Sequence, residues 1–130
     1  MIDILISLGI SIEQLSTAVI VHGHISDVQD RNYHLNVNIS GRTARTILST
    51  LCLVPGIKTL VCEEGFKQRP VLDLVTGLRQ LGADIEYLEK EGFLPVKISS
   101  STLSGHTVTM PGTVSSQYFS SLMMVAPILA

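Results

Sequence analysis

The chain has 130 residues, enough for one domain that buries about two-thirds of the surface its unfolded form exposes. Apolar residues make up 45% and charged residues 15%, with 9 basic and 11 acidic side chains scattered along it for a net charge of −2. That balance excludes a disordered segment, and with no basic patch interleaved with aromatics it argues against nucleic acid as a partner.

In chain order, Ile2, Leu5 and Ile6 fall at helical spacing and predict a short helix ending near Gly9. Residues 17–23 (TAVIVHG) are rich in β-branched side chains and read as a strand. Residues 33–39 alternate, with Tyr33, Leu35, Val37 and Ile39 on one face and His34, Asn36 and Asn38 on the other, as a half-buried strand does. Ser40 and Gly41 open a helix whose apolar face runs through Ala44, Ile47, Leu48 and Leu51 until Pro55 and Gly56 stop it. Residues 57–63 (IKTLVCE) read as a strand. Pro70 is then placed in the first turn of a helix carrying Val71, Leu74, Val75, Leu78 and Leu81, which Gly82 ends. Short strands are predicted in DIEYLE, LPVKIS and HTVTM, and a last helix from near Ser115.

Helices alternating with short strands predict the α/β class, a sheet covered by helices. Residues 1–40 read as the end of one repeat unit, 41–113 as one full unit, and 114–130 as the start of the next helix. The chain opens on a helical pattern and closes inside the apolar run LMMVAPILA, so a part of a larger domain is expected. That run is too short for a bilayer and contains a proline. Cys52 and Cys62 show no CxxC or ligand spacing, which favours a reduced, cytoplasmic setting. His22, His24, His34 and His106 lack metal-ligand spacing, although His22 and His24 would share a strand face.

Three helix starts carry anion-friendly groups. A helix N-terminus leaves about four N–H groups unpaired and concentrates roughly half a positive charge. Ser115, Ser116 and Gln117 sit at one such start behind Pro111 and Gly112, where either they cradle a phosphate or one serine is an ordinary N-cap and the others are incidental. At the second, Ser40–Gly41 is followed by Arg42 and Arg45, three apart and so on one face. At the third, Lys67 and Arg69 precede Pro70. Glu63 and Glu64 read either as an acid/base pair or as a solvated carboxylate run. Together these groups suggest a binder of small phosphorylated or carboxylated molecules.

The stretch KQRPVLDLVTGLRQLGADIEYLEKEGFLPVKIS, followed by SGHTVTMPGTVSSQYFSSLMMVAP, closely resembles the 5-enolpyruvylshikimate-3-phosphate synthase family. The resemblance covers nearly the whole chain and is strongest over residues 66–127. It implies two domains, each of three βαβαββ units forming an inverse α/β barrel, with this chain an incomplete first domain. It also implies transfer of the enolpyruvyl group of phosphoenolpyruvate to the 5-hydroxyl of shikimate 3-phosphate, without metal or organic cofactor. By this resemblance Ser115, Ser116 and Gln117 bind shikimate 3-phosphate, and Arg69 and Gly41 bind phosphoenolpyruvate. Where the family carries NAGT or NSGT before an arginine, this chain has ISGRTAR, with Ile39 and Arg42 in place of the asparagine and threonine. The family's acid/base carboxylates and lysine-serine-arginine loop have no counterpart here, so the catalytic residues are expected elsewhere and the isolated chain is expected to be nearly silent. The rival readings are a non-catalytic binding remnant of the same fold and the related UDP-N-acetylglucosamine enolpyruvyl transferase. The latter would place a reactive cysteine where this chain has Glu64. The partners implied are the two substrates, and the missing domain or a second copy of the chain.

Overall fold

The computed structural model describes residues 1–99 and 102–129. Helix α1 (Ile2–Ser7) leads into a hairpin of β1 (Ile12–Gln14) and β2 (Val19–Val21), paired antiparallel. Then follow β3 (Tyr33–Asn36), α2 (Gly41–Leu51), β4 (Lys58–Val61), α3 (Leu72–Gln80), β5 (Ile85–Tyr87), β6 (Val96–Ile98) and α4 (Ser116–Val125). Short 3-10 turns occupy Ile25–Asp27 and Ala126–Ile128. The main sheet has the order β3-β4-β6-β5, parallel between β3 and β4 and antiparallel elsewhere. The succession β3–α2–β4–α3–β5–β6 is a βαβαββ run over residues 33–98, so its first strand lies before residue 41. No helix among the described residues is long and apolar enough to cross a membrane.

The amphipathic elements form as their periodicity demands. In α2 the stripe Ala44, Ile47, Leu48 and Leu51 is buried throughout, and in α3 Leu74, Val75 and Leu78 are fully buried. On β3, Tyr33 and Leu35 point into the core while His34 and Asn36 are exposed. The strand stops three residues short of the predicted end. Asn38 adopts φ 54° and donates its N–H to Asn36 Oδ1 at 2.8 Å, so the chain turns and Ile39 emerges 62% exposed. That turn delivers Ser40 as the N-cap of α2, its hydroxyl accepting the Thr43 N–H at 3.2 Å. After α2, Gly56 has φ 78°, and a Cβ there would lie 1.9 Å from the Arg31 carbonyl, so only glycine fits.

Three expectations are corrected. The strand predicted over 17–23 is confined to Val19–Val21, and its partner β1 was not foreseen. HTVTM forms no ladder: Gln80 takes both hydrogen bonds of Thr109, donating to its carbonyl at 2.9 Å and accepting its N–H at 2.8 Å. Val108 and Met110 alternate because they pack against the core at Gly77, not because a strand neighbours them. Pro70 lies before the N-cap Val71, and α3 starts at Leu72. The Val71 N–H is drawn to the Gly92 carbonyl at 2.8 Å, which holds residues 70 and 71 out of the helix.

One buried charge has a measurable consequence. Lys58 at the start of β4 is fully buried and donates to the carbonyls of Val54 and Gly56. Burial pulls its pKa from 10.5 down to about 8, against the weaker opposing influence of Cys52 and Asp30. A folded pKa below the unfolded one means that unfolding takes up a proton between these values, so stability rises with pH across pH 8 to 10.5. The unfolding free energy of the chain relative to Lys58→Met is expected to rise by roughly 3 kcal/mol over that window. Parallel urea-unfolding curves for the two proteins at every pH would contradict it.

Candidate functional site

The three helix starts that carry anion-friendly groups are brought to one place. Ser115 is the N-cap of α4, with φ −161°, and its hydroxyl accepts the Gln117 N–H at 3.3 Å. Ser115 is thus an ordinary N-cap, and Ser116 is exposed on the first helical turn. Gln117 points its Oε1 at Arg45, whose Nη1 donates to it at 2.9 Å. Arg45 and Arg42 share a face in sequence but differ in the fold, Arg42 being exposed and Arg45 half-buried against α4.

Tyr118 joins this corner to the Arg69 loop. Its ring lies under the Arg45 guanidinium at 5.4 Å, and its hydroxyl donates to the Pro70 carbonyl at 2.7 Å. Burial raises its pKa, ahead of the opposing influence of Arg45. Arg69 is exposed and stands over the Phe66 ring at 5.9 Å. Gly41 faces the same ring: a Cβ built on it would be 3.0 Å from Phe66 Cε2 and 3.5 Å from Arg69 Nη1. Beneath the site, Ser49 and Ser121 share a buried 2.6 Å hydrogen bond, and Ser121 also donates to the Arg45 carbonyl. This pair locks α2 against α4.

Chemically, the corner offers the α2 N-terminus at Gly41, the α4 N-terminus at Ser115–Gln117, and the guanidinium of Arg69. These are donors and positive charge, suited to phosphate and carboxylate oxygens. The Arg45 Nε is buried without a hydrogen-bond partner among the described residues. Lys67 does not add to this charge, because it is engaged by Glu64 at 2.9 Å and Glu89 at 3.4 Å, and the hydrogen bond to Glu64 raises its pKa. Glu64 is thus an ion-pair partner rather than half of an acid/base pair with Glu63. His22 and His24 do not share a strand face. His22 lies 3.6 Å from Glu13, while the His24 ring caps the turn Ile25–Asp27. No cluster of three metal-ligating side chains is assembled among the described residues.

A groove of about 530 Å³ runs between α1 and the β3–α2 turn, lined by Asp3, His34, Asn36, Asn38, Ser40 and Thr43 among others, and meets the α2 start at its Ser40 side. It contains no arginine and none of Ser115, Ser116 or Gln117, so an anion is better served at the converging helix starts. Sequence reasoning missed Tyr118, Phe66 and the Ser49–Ser121 pair. For Tyr118 a signal existed: a single phenol hydroxyl in the apolar pattern of α4 needs a partner when buried.

The model of the family described as EPSP synthase (3-phosphoshikimate 1-carboxyvinyltransferase) matches residues 1–130. The chain is 40% identical over 105 residues to the 3-phosphoshikimate 1-carboxyvinyltransferase of Bacteroides fragilis, covering 81% of this chain and 26% of that protein. It is 37% identical over 131 residues to the enzyme of that name from Shewanella amazonensis, covering 98% of this chain and 31% of that protein. The fold is shared with the solved EPSP synthase from Acinetobacter baumannii at a TM-score of 0.84 and 23% identity, over 99% of this chain and 30% of that one. The chain thus spans about a third or less of the length of the relatives it matches, and the described residues form open sheets of two and four strands. With a family match over its whole length, the chain belongs to the EPSP synthase family.

Proposed function

We propose that this chain forms one half of the substrate site of an enolpyruvyl transferase, holding the phosphate of shikimate 3-phosphate at Ser115, Ser116 and Gln117. Arg69 and the helix start at Gly41 would receive phosphoenolpyruvate. The observation that carries this reading is the convergence of those groups, far apart in sequence, through Arg45–Gln117 and Tyr118–Pro70. In the reaction, the 5-hydroxyl oxygen bonds to C2 of phosphoenolpyruvate as its proton leaves and C3 gains a proton. The tetrahedral adduct then loses phosphate from C2 and a proton from C3, leaving the enol ether. No electrons are gained or lost. The residues here bind and orient the two anions.

Among the described residues, no carboxylate hydrogen-bonds Ser115, Ser116, Gln117 or Arg69, and by the family resemblance proton transfer falls to other parts of the transferase. The isolated chain is expected to bind and to release no phosphate from the substrate pair above background; sustained release would show a complete site within it. Two cysteines in 130 residues, without CxxC spacing, support a cytoplasmic setting. Exposed Val19, Val21, Met123 and Met124 support docking onto further protein, the rest of the transferase or a second copy.

Amide NMR tests the placement. Shikimate 3-phosphate is expected to shift the resonances of Ser116, Gln117 and Tyr118 most; shifts confined to the α1 groove would contradict it. Gly41→Ala tests the second anion. The added methyl enters between the Phe66 ring edge and Arg69, so phosphoenolpyruvate affinity is expected to fall about tenfold while shikimate 3-phosphate affinity holds. Equal losses for both ligands in calorimetry would contradict this division of the site.

A further inference from the structure

We infer that Tyr118 is a positioning residue that couples the two anion sites, so that filling one raises the affinity of the other. The inference rests on the substrate placement proposed above.

Tyr118 is fully buried, and its hydroxyl donates at 2.7 Å to the carbonyl of Pro70, 48 residues away. Pro70 directly follows Arg69, has no N–H, and stands just outside α3. Its peptide is held from one side by Tyr118 and from the other by the Val71 N–H on the Gly92 carbonyl. The Arg69 N–H itself donates to the Phe66 carbonyl at 2.9 Å, so the phenol hydroxyl fixes the peptide that follows Arg69 and Pro70 and steadies the Arg69 loop from its C-terminal side. At the other end, Tyr118 directly follows Gln117, and its N–H donates to the Ser115 carbonyl at 3.2 Å. Any tightening of the 115–118 turn around a phosphate moves the base of the Tyr118 side chain. Arg45 adds a second tie, gripping Gln117 through Nη1 while lying over the Tyr118 ring. One rigid ring thus spans the distance between the phosphate turn and the Arg69 loop, and its hydroxyl makes the hydrogen bond to the Pro70 carbonyl.

A tyrosine that merely filled the core would be replaceable by phenylalanine at that spot without effect on ligand cross-talk. Calorimetric titration of the chain and of Tyr118→Phe separates the two roles. For the parent, saturating phosphoenolpyruvate is expected to tighten shikimate 3-phosphate binding at least fivefold, within the usual range of coupling between sites. For Tyr118→Phe the tightening is expected to fall below twofold, while each ligand alone binds within about threefold of the parent. Ser49→Ala, which loosens the same α2–α4 contact without touching the relay, is expected to keep the parent's coupling. Coupling undiminished in Tyr118→Phe, or equally lost in Ser49→Ala, would overturn the inference.

Hydrogen exchange reads the relay without ligand. The amides of Arg69 and Val71 are expected to exchange about tenfold faster in Tyr118→Phe than in Ser49→Ala. If the parent bound neither ligand, the substrate placement would fail, whereas unchanged exchange at these two amides would overturn the relay itself.

Discussion

Replacing both Ser115 and Ser116 by alanine is expected to weaken shikimate 3-phosphate binding about 100-fold or more while leaving the chain folded. Hydrogen bonds to a charged group are worth roughly 1.5–3 kcal/mol each, so two lost donors remove most of the grip on a phosphate. The cost to the fold is smaller. Ser115 caps α4 through the Gln117 N–H, and losing such a cap costs about 1 kcal/mol. Ser116 is exposed inside the first turn, where alanine is the better helix former and recovers part of that loss. If the serines were caps alone, the double variant would lose stability and no affinity. Titration beside thermal unfolding distinguishes the two.

Arg69→Gln carries the second large effect. The side chain is exposed and touches the rest of the protein through the Phe66 ring at 5.9 Å, a contact worth about 0.5–1 kcal/mol. Stability is therefore expected to change little. Phosphoenolpyruvate loses a forked cationic donor that glutamine cannot replace, and its Kd is expected to rise about 100-fold. Shikimate 3-phosphate alone should bind within about threefold of the parent. Raising the salt should weaken phosphoenolpyruvate binding to the parent more than to the variant, because the charge pair is what salt screens. Equal salt dependence in both would remove Arg69 from the site.

What was legible in the sequence follows from the range of the interactions involved. Helices α2 and α3 were readable because each carries its own apolar stripe, and the start of α4 at Ser115 because a serine cap is a local signal. Strand β3 was readable from its alternation, but its end was not. Ile39 keeps the alternation in type while Asn38 turns the chain, so periodicity runs past the point where the backbone stops. HTVTM misled for the converse reason: a side chain, Gln80, meets the backbone hydrogen bonds that a strand neighbour would have met. Strand β1 was missed because IEQ is too short to show a period, and it exists by pairing with β2.

The proposed site divides the same way. Ser115, Ser116, Gln117, Arg69 and Gly41 were reachable through local chemistry and family resemblance. Their assembly was not. Gly41 against Phe66 and Arg69, Arg45 on Gln117, and Tyr118 on Pro70 are contacts between residues 25 or more apart, which no local pattern encodes. They form where α4 lies against α2 and the Arg69 loop, beside the buried Ser49–Ser121 pair.

The most direct test of the central claim is calorimetric titration of the purified chain with shikimate 3-phosphate, repeated with inorganic phosphate as competitor. The account predicts saturable one-to-one binding that phosphate weakens and that Ser115→Ala/Ser116→Ala removes. A folded chain that takes up no shikimate 3-phosphate, or binds it equally well without the two serines, would contradict it.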